Sequence, residues 1–379
     1  MSNIDARFSP FFVACVSGAA LEKRMWVLWT VVSLLILLLA LVVIHILYLN
    51  APTKPVTLDP PITLRYTAEP SSCPSAMPVF DVTETTKHKP VLCTIDPTSQ
   101  TLVRFPWGSS EDALPAVEFR DTEALVVTSK SEWTFSESGR YLLCYEPTVG
   151  LQVLFRQSMQ PTVFAWRGVL IMSAQIDDFC LSRDATRIFC RRGEELLLFR
   201  RTTEGVFVLA SQKFREGLLG VALHPSENRF WWWCCVENHV KLIEEDHEGP
   251  SKKTLWQGAH TIRQVVAAAD IVVVAWDDLP TLGMFHGSRQ VQLLQAPRAE
   301  MEGFGRTVVL HHDGTRLLVG AQGTVLVFEA EAHAAYTFPL FVLVAEVNTE
   351  GHLRWSRDSD DVFYCLQDTA VHRFRLRHV

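Results

Sequence analysis

Several things are scarce in this sequence, and each scarcity removes a class of function. No G-x-S-x-G, H-E-x-x-H or C-x-x-C occurs along the 379 residues. The nucleophile elbow of an α/β-hydrolase, the metal helix of a zinc peptidase and the paired thiols of a redox site are therefore missing. The stretch GFGRTV, Gly303 to Val308, lacks the third glycine of a dinucleotide loop. Positive charge is short as well: 35 Lys and Arg against 42 Asp and Glu give a net charge of −7. Without a basic face there is no electrostatic grip on a phosphate backbone, which argues against a nucleic-acid partner. The asparagines Asn3, Asn50, Asn228, Asn238 and Asn348 begin no N-x-S/T sequon, and this leans weakly away from the glycosylating secretory pathway. Nine cysteines are an odd number with no compact spacing, so a disulfide scaffold is not indicated. Cys73 and Cys93 are the pair best placed to bridge if the compartment is oxidising.

One long hydrophobic run stands out. Met25 to Leu49 (MWVLWTVVSLLILLLALVVIHILYL) carries no formal charge and only Thr30, Ser33, His45 and Tyr48 as polar interruptions. It predicts a transmembrane helix. Lys23 and Arg24 precede it, whereas Lys54 and Arg65 after it are balanced by Asp59 and Glu69; the bias predicts the N-terminus inside and the remainder outside. A cleaved signal peptide is the rival, disfavoured by the length of the apolar core. Residues 1–24 then form an inner tail packed on a surface, because the apolar run Phe11 to Leu21 is too short to span. His45 sits near the outer end, as a cofactor ligand or interhelical hydrogen-bonding group, or simply satisfied by water and head groups. Residues 50–61, with four prolines, predict an extended linker.

Beyond the linker a pattern returns. WTFSESGRYLLCY from Trp133, FCLSRDATRIFCR from Phe179, VALHPSENRFWWWC from Val221, VVLHHDGTRLLVG from Val308 and LRWSRDSDDVFYC from Leu353 share one design. A short apolar strand meets Ser or His, then a polar turn, then a more solidly apolar strand, which is a β-hairpin. The anchors Ser136, Ser182, His224, His311 and Ser356 are separated by 46, 42, 87 and 45 residues. The gap of 87 is a doubled period, filled by Gln264 to Asp278; a further unit fits Val79 to Ile95. Seven units of about 45 residues in an all-β chain predict a seven-bladed β-propeller over residues 62–379, with six or eight blades as the neighbouring alternatives. Third strands follow at Gly150, Glu194, His239, Gly323 and Ala370. Phe230 to Val236 (FWWWCCV) then reads as a second strand covered on both faces, and Cys144, Cys190, Cys234 and Cys365 as equivalent core thiols. Ile62 to Glu69 is expected to close the ring as outer strand beside the C-terminal one, removing the open edges.

The hairpins FSESGRYLL and HHDGTRLLVG resemble the S-x-D-G-x-x-L turn of WD40-like and TolB-like propellers. The resemblance covers most of residues 61–379 and is to an architecture, since no unit has the Gly-His start and Trp-Asp end at WD40 spacing.

No constellation of catalytic residues emerges, and no cofactor-binding or metal-binding residue is assigned. Cys234 and Cys235 with His224 and His239 would need a vicinal disulfide or a metal, but successive strand side chains face opposite ways. The acidic groups Asp177 with Asp178, Asp277 with Asp278, and Asp358 with Asp360 and Asp361 include one D-x-D, which falls in a hairpin turn where Asp is favoured for local hydrogen bonds. Ser182-x-Asp184 and Ser356-x-Asp358 resemble a degraded Asp-box of sialidase propellers, without the arginines and tyrosine such a site needs. Arg373, Arg375 and Arg377 form a basic row on the last strand, either solvated or meeting an acidic or lipid partner. Together these features predict a non-catalytic accessory or scaffold subunit of a larger membrane complex, without cofactors. It would contact other subunits through propeller and helix and sit in the bilayer, with the mitochondrial inner membrane favoured over ER or Golgi. The alternatives are a type II secretory enzyme of glycosyltransferase or glycosidase kind, and a propeller ligand sensor or trafficking receptor.

Overall fold

The computed structural model describes residues 26, 28–42, 56–57, 64–74, 79–84, 90–96, 101–106, 114–117, 132–135, 141–156, 166–172, 175–182, 184–224, 228–246, 249, 251–332, 336, 338–356, 359–367 and 370–379. The chain forms two compact units, Met1–Thr53 and Lys54–Val379. In the first, residues 28–42 are helical. Among the described residues no helix is long and apolar enough to cross a membrane. The span expected over Met25 to Leu49 is corrected accordingly. With it go the single-pass topology, the bilayer as partner and the inner-membrane or ER/Golgi address derived from it. Residues 1–24 and His45 lie outside the described residues.

The second unit is all β. Its described strands form seven sheets, six of four strands and one of five. Along the chain these are sheet I (residues 79–117), II (132–172), III (178–214), IV (218–258), V (262–295), VI (307–347) and VII (352–378). Each is an antiparallel meander in which chain order is strand order. Two strands are exceptions: Tyr66–Pro74 joins sheet VII beside Ala370–His378, and the short Val56–Thr57 adds to sheet V in parallel, opposite Gln292 and Leu293.

Burial explains why the second strand of each hairpin is so apolar. Ile271–Trp276 is buried along its whole length, and Arg316–Ala321 and Val362–Gln367 are buried at five of six positions. Fourth strands contrast, Phe207–Phe214 and Lys252–Gly258 being largely exposed. The cores lie between consecutive sheets. Leu143, Val153, Ile188 and Leu197 join sheets II and III, and Phe189, Leu198, Phe230 and Trp232 join III and IV. Trp231, Trp233, Val272 and Val274 join IV and V; Val273, Met284, Leu317 and Phe328 join V and VI; Leu318, Val327, Phe363 and Cys365 join VI and VII. A sheet packed face to face against both its predecessor and its successor needs apolar side chains on both faces of its middle strands. Phe230 to Cys234 meet that requirement, whereas Cys235 is exposed and departs from the expected core position.

Polar side chains bind sheet to sheet. Gln264 donates to the Val308 carbonyl and accepts from the Val308 amide, both at 3.1 Å. Gln292 does the same with Phe341, both at 2.8 Å, and Trp355 Nε1 donates to Val309 O at 3.1 Å. The closing strand is Tyr66–Pro74, somewhat later than expected, paired antiparallel with Ala370–His378 over nine residues. It supplies the outer strand of sheet VII from the start of the domain, and Tyr66 Oη donates to Glu329 of sheet VI at 3.0 Å.

Candidate functional site

The hairpin turns between first and second strands carry the most organised polar chemistry among the described residues. Their anchors are buried: Ser182 1%, His224 1%, His311 0% and Ser356 3% exposed. Ser136 lies outside the described residues. In sheet III, Ser182 Oγ accepts from the amides of Thr186 and Arg187 at 3.1 and 3.0 Å and donates to Asp184 at 2.6 Å. Asp184 in turn accepts from the Thr186 amide and hydroxyl at 3.1 and 2.8 Å. Sheet VI repeats the arrangement, with Asp313 accepting from the Thr315 amide and hydroxyl at 2.8 and 2.7 Å. The local sequence anchor-x-Asp-x-Thr-Arg is therefore a self-closing turn of Asx type.

The arginine that ends this motif reaches out of it. Arg187 Nη1 donates to Asn228 at 2.9 Å, and Arg229 pairs with Asp270 at 3.4 Å. Arg316 donates to the Asp360 carbonyl while also holding Glu329 at 3.0 Å. In each case the target lies in the corresponding turn of the next sheet. His224 reaches the same way: its Nε2 donates to the Ala269 carbonyl at 2.8 Å.

His311 is placed similarly but meets different chemistry. Its Nδ1 lies 2.6 Å from Asp313 Oδ1, and since the carboxylate accepts, Nδ1 carries the proton. Burial alone would raise the Asp313 pKa; the hydrogen bonds from His311 and Thr315 outweigh it and hold the carboxyl down at about 2. Nε2 of His311 faces Asp360 Oδ1 of the next sheet at 3.6 Å, and the His312 ring lies 4.1 Å from that of His311. One ligating atom from each of His311, His312 and Asp360 falls within 4.8 Å of the others, so among the described residues these three could hold a metal.

The other residues singled out in the sequence are committed elsewhere. Asp177 accepts from the Gly193 amide at 2.6 Å, and Asp277 from Arg263 at 2.7 Å. Asp278 is paired with His260 at 2.9 Å, and Asp361 accepts from Ser359. Asp358 lies outside the described residues, and with it the D-x-D pair and the second Asp-box copy. Cys234 is buried and Cys235 exposed on adjacent strand positions, while His224 bonds Ala269 and His239 is exposed; these four do not converge. Of the basic row, Arg377 pairs with Glu69 at 2.8 Å and Arg375 with Asp361 at 3.7 Å. The side chains of Cys73 and Cys93 lie outside the described residues.

First strands of sheets III to VI line a cavity of about 580 Å³, with Asp178, Arg263 and Gln264 as its charged and amide groups. Burial raises the Asp178 pKa against the opposing pull of Arg191 and of hydrogen bonds from the Val221 and Phe179 backbone. Arg263 and Gln264 are occupied by Asp277 and the Val308 backbone.

No protein-family model matches the chain, and no curated protein matches it. Solved structures do. It is similar to the RRP9 WD40 repeats at 12% identity, covering 82% of this chain and 100% of that one with a TM-score of 0.57. It is similar also to U3-55K at 11% identity, covering 83% and 99% with a TM-score of 0.54. At such identities the likeness is one of fold, and the fold is a WD40-type β-propeller.

Proposed function

We propose that residues 62–379 form one propeller of seven blades closed by the Tyr66–Pro74 strand, and that it serves as a non-catalytic scaffold or accessory subunit of a larger protein assembly. The acidic and thiol groups that would signal turnover are used by turns, ion pairs and core. The observation that carries the reading is the outer strand of sheet III. There Val208, Leu209 and Phe214 are 47%, 51% and 66% exposed, and Val206 just before the strand is 39% exposed. A fourth strand has no further strand beside it, and large apolar side chains on it favour a partner that covers them with its own apolar side chains.

The test is native mass spectrometry on the full chain purified from its own cells, beside a Val208→Lys, Leu209→Glu, Phe214→Lys variant. Wild type is expected in a defined heteromeric assembly that the variant fails to enter, with thermal stability unchanged. Equal incorporation of both, or a monomeric wild type, would refute the reading.

A further inference from the structure

The geometry points to a divalent transition-metal site, of the zinc class, built by His311, His312 and Asp360, which pins the hairpin turn of sheet VI to that of sheet VII. His311 is fully buried, and its Nε2 makes no hydrogen bond. With Nδ1–H committed to Asp313, Nε2 is left without a hydrogen bond and faces a carboxylate oxygen of the next sheet. A cation between Nε2 and the carboxylate oxygen would satisfy both atoms. The 3.6 Å separation exceeds the roughly 2.7–3.2 Å of a hydrogen bond. It approaches the separation of about 3.3–3.5 Å between two donors on a tetrahedral ion with bonds of about 2.0–2.1 Å.

The surroundings fit as well. A carboxylate on the distal nitrogen of a ligating imidazole fixes the tautomer and strengthens the ligand, which is the role Asp313 would play toward His311. Two imidazoles and one carboxylate suit zinc, cobalt or nickel; magnesium and calcium prefer all-oxygen sets. His312 and Asp360 are exposed, so the ion has an entry path, and a water completes the fourth position. This inference stands apart from the docking surface on sheet III and survives its failure.

The experiment uses the untagged full chain, stripped with EDTA and dialysed. Isothermal titration with zinc chloride is expected to give one site per chain, and cobalt to give visible absorption of tetrahedral intensity that zinc abolishes and magnesium does not. His312→Ala and Asp360→Asn alter exposed side chains, so each is expected to keep the wild-type circular dichroism while losing tenfold or more in zinc affinity. Absence of stoichiometric zinc binding, or binding unchanged in both variants, overturns the assignment. So does a nitrogen NMR spectrum in which His311 stays protonated on both nitrogens after zinc is added, because the carboxylates would then be bridged by an imidazolium.

Discussion

Gly220 offers the sharpest test of how the tryptophan strand is packed. It lies opposite Trp233 on the neighbouring strand, and a methyl group built on it would fall 2.1 Å from Trp233 Cζ2 and 2.5 Å from Cε2. Ordinary contact begins near 3.4 Å, so the indole or the strand must give way by more than about 1 Å. Trp233 is 6% exposed and packed with Trp231, Leu242 and Val265, which leaves it little room to retreat. Gly220→Ala is therefore expected to cost about 2–3 kcal/mol, the upper part of the overpacking range. Trp233→Phe removes the part of the ring that the methyl would strike, and alone leaves a void costing about 1–2 kcal/mol, a fraction of full truncation. Combined, the added methyl enters the space vacated, and the double variant should be more stable than the sum predicts by about 1 kcal/mol or more. Urea midpoints followed by fluorescence measure the cycle, because ten of the eleven tryptophans remain as reporters. Strict additivity would refute the contact, and with it the account of why glycine stands there.

Three further outcomes follow from the same structure. Glu245, 6% exposed, accepts from Lys213 at 2.6 Å, Arg215 at 2.9 Å and Trp232 Nε1 at 3.0 Å. Burial would raise its pKa, but these donors outweigh it and hold it below the usual 4.5. Native Glu245 thus binds a proton more weakly than the unfolded chain does: its contribution is full above pH 4.5 and is lost as pH falls through the depressed native value. Glu245→Gln should cost about 2 kcal/mol at neutral pH, less than a fully buried pair because Lys213 and Arg215 stay partly wet, and should flatten the acid limb of the stability curve. Among the described thiols Cys235 is exposed, while burial pushes Cys144 and Cys190 well up and Cys365 up; brief iodoacetamide treatment and peptide mass mapping should label Cys235 and spare those three. A chain begun at residue 75 lacks the Tyr66–Pro74 strand and bares the edge of Ala370–His378; it should aggregate or melt earlier in calorimetry, whereas one begun at Lys54 should melt as wild type.

Much of this fold is legible in the sequence because a propeller writes each sheet as the same local pattern. The solid second strands, the doubled gap between His224 and His311 and the closing strand are all set by which residues must be covered on two faces. Three things escape that logic. Met25 to Leu49 has the composition of a span, yet among the described residues no helix is long and apolar enough to cross a membrane. VFVLA, residues 206–210, looks like core, yet it runs into the outermost strand of sheet III, where Ala210 is bulged and Val208 and Leu209 are both exposed. Cys235 is the last cysteine of an apolar run and lies beyond the neighbouring sheet's cover. The metal candidate was invisible for another reason: His311 and Asp360 are 49 residues apart and match no spacing motif.

That last distance follows from the architecture. When one supersecondary unit repeats around an axis, equivalent turns of consecutive units become neighbours, so a residue contacts its counterpart about one period further on. The observed pairs obey this: Arg187 with Asn228, His224 with Ala269, Gln264 with Val308 and Trp355 with Val309. At the anchor position, side-chain length decides what is reached. Ser182 is short and closes its own turn. Histidine is long enough to cross to the next sheet, and what it finds there decides its state. His224 finds a carbonyl, which takes the Nε2 proton and is satisfied by it. His311 already gives its Nδ1–H to Asp313, and its Nε2 faces a carboxylate of the next sheet with no hydrogen bond made, which singles out this anchor as the place where a cation belongs.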